Sequence, residues 1–355
     1  MDDARRQFLD DLLATASPSG YEVPGQRVWV DYVSEYADDV RTDEYGNAVA
    51  VHEGDPHCET EIAFAGHGDE IGFIVRDVTE DGFLKIGRVG GSDKTVTRGQ
   101  HVTVHADGGP VPGVVGQTAI HLRENGDEDP PDVAEQRVDI GADDEETAAE
   151  LVEVGDPVTF TQEVHELADG RLTARGMDNR IGIWAAAEGL RRAAADGADA
   201  TVYAVSTVQE EVGLQGARMV GFDLDPDAII ATDVTHATDS PGVPSGKSTG
   251  VELGEGPVVA RGSANHPALV AAVRDVAAEA EIDVQLQATG SRTGTDADAF
   301  YTSRGGTPSL SVGLPNRYMH TPVEVIDEDD LEALGALLGA VGAGAETHAP
   351  FGVDI

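Results

Sequence analysis

Beyond Asp178 the chain alternates between short apolar runs and longer amphipathic stretches. The amphipathic stretches predict helices at Ile181 to Ala195, Pro267 to Ala280, Ala297 to Ser303 and Asp327 to Val341. Between them the apolar runs predict strands at Thr201 to Thr207, Ala228 to Ala231, Val284 to Gln287 and Pro308 to Val312. Strands that alternate with helices build an α/β fold, a mixed sheet flanked by helices on both faces. The N-terminal part adds to it. Phe8, Leu9, Leu12 and Leu13 share one face of a helix from about Ala4 to Ala16, which Ser17-Pro18-Ser19-Gly20 stops. A second amphipathic helix carries Val23, Val28, Trp29, Tyr32 and Val33, and strands follow at Ala48 to His52 and Ile62 to Gly66.

After Gly72 the texture changes. From Phe73 to about Gln162 the segments are short, β-rich and broken by glycines: Phe83 to Ile86, His101 to His105, Val111 to Ile120 and Val158 to Phe160. An acidic, proline-bearing loop, Glu124 to Asp132, lies among them. The division expected is a catalytic α/β domain of residues 1–72 plus 163–355, with an inserted all-β domain at 73–162.

Charge narrows the partners. Asp and Glu total 66 against 23 Lys and Arg, a net charge of −43, and the only lysines are Lys85, Lys94 and Lys247. Such a surface repels nucleic acid and anionic membrane. It also repels itself, except where molar salt shortens the Debye length to about 3 Å. Acids spread along the whole chain therefore point to a halophilic protein. No run reaches the roughly 18 apolar residues of a membrane helix, and the charged start, Met1-Asp2-Asp3-Ala4-Arg5-Arg6, lacks the apolar core of a signal peptide. The lone Cys58 excludes an intrachain disulfide and fits a reducing cytoplasm.

Ligand sites in open α/β sheets gather at the carboxyl ends of strands. Here Ile62 to Gly66 leads into His67-Gly68-Asp69-Glu70, and Val202 to Val208 into Gln209-Glu210-Glu211. Ile229 to Thr232 leads into Asp233, and Leu310 to Leu314 into Arg317-Tyr318-Met319-His320. Each residue alone has an ordinary reading. A single histidine is usually not a ligand, Asp178 before a helix resembles an N-cap, and adjacent acids are usually a solvated face. Their conjunction behind apolar runs points instead to metal. Histidine mixed with carboxylate suits zinc, cobalt or manganese, and three or more carboxylates favour two ions over one. Asp69, two residues after His67, is placed to hold the imidazole's other nitrogen.

Five segments in order resemble successive motifs of the tetrahedral aminopeptidases: Ala65 to Gly72, Met177 to Gly182, Val208 to Gly213, Thr232 to His236 and Tyr318 to Pro322. Gly90-Gly91 and Val138 to Ala142 extend the likeness into the β-rich insert, whereas Ala119-Ile120-His121-Leu122 departs from a proline-richer pattern. The resemblance implies a di-zinc exopeptidase-like fold and a metal-dependent aminopeptidase that hydrolyses peptides from the N-terminus with water activated between two metals. It further implies that Asp178 bridges the two metals, with His67 and Asp233 completing one site and Glu211 and His320 the other. Glu210 would be the general base, with Asp69 behind His67. The insert would be a dimerisation domain, and dimers would assemble into a tetrahedral dodecamer.

Two other activities remain open at this level. A two-metal deacylase of N-acyl amino acids would use similar ligands. A glycoside hydrolase would need paired carboxylates about 5–9.5 Å apart. Glu210 and Glu211, if strand neighbours, would face opposite ways, and that reading leaves His67, Asp233 and His320 unused. No role follows for Asp296, His236 is expected beside the ligands, and Ser291 to Asp296 and Leu314 to Tyr318 are expected to shape the substrate pocket.

Overall fold

The structure, a computed structural model, describes residues 1–123, 130–161 and 163–353. Most of the acidic loop expected at Glu124 to Asp132, and the expected domain edge at Gln162, lie outside the described residues.

The largest sheet has eight strands. In spatial order they are Asp39–Thr42, Ala48–His52, Thr201–Thr207, Glu61–His67, Ala228–His236, Ser309–Asn316, Val258–Gly262 and Gln285–Thr289. The four central strands, from Thr201–Thr207 to Ser309–Asn316, run parallel, and antiparallel pairing appears toward both edges. Burial on both faces explains why these strands read as continuous apolar runs. Side chains still alternate. Ile62 and Phe64 join the large core formed with the helices Asp3–Ala14, Met177–Ala195, Pro267–Glu279 and Glu328–Ala343, while Ala63 and Ala65 join a smaller core against Gln215–Asp223 and Ala297–Phe300. The mixed sheet covered on both faces is thus the α/β class that the periodicity implies.

Between Gly72 and Phe160, six strands close into a barrel in the order Gly72–Val78, Leu84–Val89, Arg137–Asp139, Gly109–Val115, His101–Ala106, Pro157–Phe160. It has its own core, centred on Phe73, Leu84, Ile86, Val104, Val138 and Val158. A further three-stranded sheet joins His165–Glu166, Arg171–Ala174 and Glu324–Asp327.

Several local expectations need correction. The strand expected over Val111 to Ile120 ends at Val115, where its partner strand Arg137–Asp139 also runs out, Gly116 making the last bond to the Arg137 carbonyl. Ile120 lies in a short 3-10 turn and is 70% exposed, so its apolar side chain carried no strand signal. The helix expected from Ala297 to Ser303 ends at Phe300. Asp39–Thr42 and Glu324–Asp327 are strands without an apolar run to announce them, the first a polar edge strand, and Val258–Gly262 is announced only by the short run Val258-Val259-Ala260. Asp233 sits within Ala228–His236, since that strand stays paired to Ser309–Asn316 along its whole length.

That extra length shapes a crevice. Ala228–His236 pairs with Glu61–His67 only as far as Ala231 opposite Ala65, and beyond that point the two strands part. The N-terminal end of Met177–Ala195 enters there. Gly66 permits the approach: a Cβ on it would stand 2.6 Å from the Gly182 carbonyl carbon. Thr232 Oγ1 pins the same turn by donating to Gly182 O at 2.9 Å.

Candidate metal centre

Five chain segments meet in this crevice. His67 closes the strand Glu61–His67, Asp233 projects from its neighbour, Glu210 and Glu211 follow Thr201–Thr207, and His320 lies beyond Ser309–Asn316. Asp178 comes from the start of Met177–Ala195, where its backbone is not helical and the Asp178–Asn179 peptide is cis. It does not cap that helix, whose N-cap is Gly176.

Asp178 occupies the centre. Its Oδ1 lies 3.2 Å from His67 Nε2 and its Oδ2 3.2 Å from His320 Nε2. Asp233 Oδ1 stands 3.8 Å from His67 Nε2, and Glu211 Oε1 3.5 Å from His320 Nε2. Two ligand sets follow, His67–Asp178–Asp233 and Asp178–Glu211–His320, the potential donor atoms of each lying within 4.8 Å of one another. Each imidazole is oriented from behind. His67 Nδ1 faces Asp69 Oδ1 at 3.3 Å and the Asp69 carbonyl at 3.2 Å, and His320 Nδ1 faces the Gly91 carbonyl at 3.3 Å. Acceptors at both Nδ1 atoms favour the tautomer that leaves Nε2 free as a ligand.

The electrostatics suit cations. Asp69, Asp178, Glu210, Glu211 and Asp233 converge, and among the described residues none of them pairs with a lysine or arginine; their ionic partners are His67 and His320. Burial, reinforced by the neighbouring negative charges, pushes the carboxyls of Glu210, Glu211 and Asp233 well above the usual range. Asp178 is held low in spite of its burial, by the two imidazoles that face its oxygens. A set of buried oxygen and nitrogen donors with this excess of negative charge fits divalent metal ions.

Glu210 and Glu211 lie past the end of their strand, in a turn where Gly213 and Leu214 N–H both return to the Glu210 carbonyl. The opposed orientation expected of strand neighbours therefore does not apply. Both side chains reach the cluster, with Glu210 Oε2 3.8 Å from His67 Nε2. Asp69 organises the turn as well, accepting Glu210 N–H at 2.9 Å on Oδ1 and Glu211 N–H at 3.2 Å on Oδ2. Asp296 is buried behind the cluster and accepts from Thr207 Oγ1 at 2.5 Å. Val234, Thr235, His236, Thr293, Gly294, Thr295 and Met319 complete the lining of a cavity of about 290 Å³ over the carboxylates. Of the two loops expected to shape the pocket, the first supplies Thr293 to Thr295; from the second, Leu314 to Tyr318 does not line it, and the adjoining Met319 does.

Glu324 was not recognisable from the sequence. It is 1% exposed, and its two oxygens accept the Asp178 N–H at 3.1 Å and the His320 N–H at 2.9 Å. It thereby ties the central carboxylate to the loop holding His320, whose φ of 62° is a strained backbone conformation for a residue other than glycine. The strand Glu324–Asp327 brings it there by pairing with Arg171–Ala174, Glu324 opposite Ala174. The only sequence clue was its position four residues after His320, unremarkable among 66 acids.

Known proteins resemble this chain over most of its length. The sequence profile of the M42 glutamyl aminopeptidases matches residues 46–337. A lysyl aminopeptidase of Pyrococcus furiosus is 33% identical over 331 residues, covering 92% of this chain and 93% of the relative. A TET aminopeptidase from a marine sediment thaumarchaeon superposes with a TM-score of 0.89 at 31% identity over 96% of each chain. A TET peptidase of Pyrococcus horikoshii gives a TM-score of 0.85 at 30% identity, over 95% of this chain and 99% of that one. Taken together the matches do not favour a deacylase or a glycosidase, and the chain belongs to the M42 glutamyl aminopeptidase family, as a metal-dependent exopeptidase that hydrolyses residues from peptide N-termini.

Proposed function

We propose that hydrolysis takes place over two metal ions, one held by His67, Asp178 and Asp233, the other by Asp178, Glu211 and His320. The observation that carries this reading is the placement of the two Asp178 oxygens, one toward each histidine at 3.2 Å. Zinc or cobalt suits the donor set best, with manganese a third candidate. Such ions supply Lewis acidity and draw the pKa of coordinated water down toward roughly 7. Glu210 is the general base: it takes the proton of the attacking water and returns it to the leaving amine. Asp69 orients His67 from behind and holds the Glu210–Glu211 turn at the same time.

Dialysis against chelator is expected to abolish release of p-nitroaniline from amino-acid p-nitroanilides, and two equivalents of cobalt or zinc per chain are expected to restore it. N-acetyl amino acids and carboxymethylcellulose are expected to remain uncleaved. Full recovery at one equivalent would overturn the two-ion reading. The glycine beside His320 gives a more local check. A Cβ on Gly91 would meet His320 Cε1 at 2.7 Å, so Gly91→Ala is expected to displace the ring and weaken cation binding about 10–100-fold by calorimetric titration.

Residues 1–72 with 163–355 form the catalytic unit in this reading, and 73–162 an inserted dimerisation domain. The Pyrococcus horikoshii relative assembles into a tetrahedron or a large octahedral shell, which supports a homo-oligomer here, a dodecamer of the 37.0 kDa chain. Light scattering after size exclusion tests it. The net charge of −43 and the scarcity of lysine support a halophilic, cytoplasmic enzyme. Its midpoint of thermal unfolding is expected to rise steeply with KCl toward molar concentration, where the Debye length falls to about 3 Å. A midpoint indifferent to salt would remove that part of the reading.

A further inference from the structure

Four consecutive backbone N–H groups lead into the turn that carries Glu210, and a side chain from another part of the chain takes each one. Val208 donates to Asn47 Oδ1 at 3.0 Å, and Gln209 to Glu22 Oε1 at 3.1 Å. Glu210 and Glu211 donate to the two oxygens of Asp69 at 2.9 and 3.2 Å. Gln209 stands out among them, because its φ of 56° costs energy for any residue except glycine. A backbone held there requires outside support, and Glu22 is the side chain that contacts it.

Glu22 is built for that contact. It is 3% exposed and lies just ahead of the helix Val23–Val33, and its Oε1 also accepts the Gly20 N–H at 2.7 Å. One turn on, Gln26 joins the same helix to the strand beneath the turn: it accepts from Ser206 Oγ at 2.5 Å and donates to the Ser206 carbonyl at 3.1 Å. The loop before the helix contributes Ser19, whose Oγ donates to Asp69 Oδ2 at 2.6 Å. The N-terminal segment is thus wired to both carboxylates that hold the catalytic turn.

We infer that Glu22 is a positioning residue for the reaction, holding Gln209 in its left-handed conformation and so aiming the carboxylate of Glu210. This rests on the reading of Glu210 as general base. The single oxygen Oε1 receives both N–H groups, so Glu22 serves as an acceptor rather than as a charge. Burial agrees, pushing the carboxyl up to about 7 against the pull of its N–H partners. Glutamine offers the same carbonyl oxygen at the same reach, whereas aspartate keeps the charge and withdraws the acceptor by one methylene.

The test compares Glu22→Gln, Glu22→Asp and, as control, Glu210→Gln, all as cobalt-loaded enzyme on an amino-acid p-nitroanilide. Glu22→Asp is expected to lose about 10–100-fold in kcat, the scale of a 1 Å misplacement, with KM and metal content unchanged. Glu22→Gln is expected to stay within about fivefold of wild type, one hydrogen bond's worth. Should Glu22→Asp fail to fold, Glu22→Met removes the acceptor at constant length and is held to the same expectation. Wild-type kcat in Glu22→Asp, equal impairment of Glu22→Gln, or metal lost in step with activity would overturn the inference. An active Glu210→Gln would instead overturn the base assignment beneath it. An inert Glu210→Gln beside a fully active Glu22→Asp would remove only Glu22.

Discussion

Asp178→Ala is expected to release both metal ions and to leave no measurable peptidase activity. Among the described residues no other side chain faces both histidines, one oxygen to each at 3.2 Å, so its removal breaks both ligand sets together. What remains is Asp233 with His67 and Glu211 with His320, too few donors for a tight site. Losing a partner outside the ligand sphere typically costs about 10–100-fold in affinity or activity, and losing a shared ligand should exceed that. Elemental analysis of the dialysed protein checks it directly. Two equivalents of metal retained by the variant would show that Asp178 does not bridge. The fold should survive, because among the described residues the Asp178 side chain pairs only with the two histidines, and its backbone N–H bond to Glu324 is untouched.

Glu210→Gln separates chemistry from binding. The substitution preserves shape and leaves both ligand sets intact, so metal content should match wild type while kcat falls by about 10²–10⁴, the usual contribution of general acid–base catalysis. The site prepares Glu210 for proton transfer. Burial, with Asp233, Asp296 and Asp178 close by, pushes its carboxyl up against the opposing pull of His67. A carboxyl with a raised pKa accepts a proton and gives it back more readily near neutral pH than an ordinary one. Loss of activity as pH falls, when the base becomes protonated, should therefore vanish from the residual rate of the variant. A variant with wild-type kcat would assign the proton transfer elsewhere.

Much of the candidate site was legible because its residues follow apolar runs. His67, Glu210, Glu211 and His320 stand just beyond buried strands, and Asp233 within one, where an exposed acid or histidine would not be expected by chance. The carboxylates behind them were not legible. Glu22 reaches Gln209 across 187 residues of sequence and Glu324 reaches Asp178 across 146. Both act through backbone N–H groups, which every residue except proline carries, so no pairing of residue types marks them. In a chain with 66 acids, a glutamate that clamps a turn looks like one that solubilises a surface. The orientation of Glu210 and Glu211 was misjudged for a related reason. Strand alternation was extended past the point where Thr201–Thr207 ends and a turn begins.

Periodicity alone settled the α/β class, because which face of a strand or helix is apolar is a local property of the chain. The order of residue types likewise confined the chemistry to histidine and carboxylate at strand ends. Which of them meet was decided by tertiary structure: four parallel strands side by side, two of them parting beyond Ala65, and a glycine contact between Gly66 and Gly182 that admits Asp178 to the gap. Those are contacts between distant segments, and local patterning carries no record of such separations.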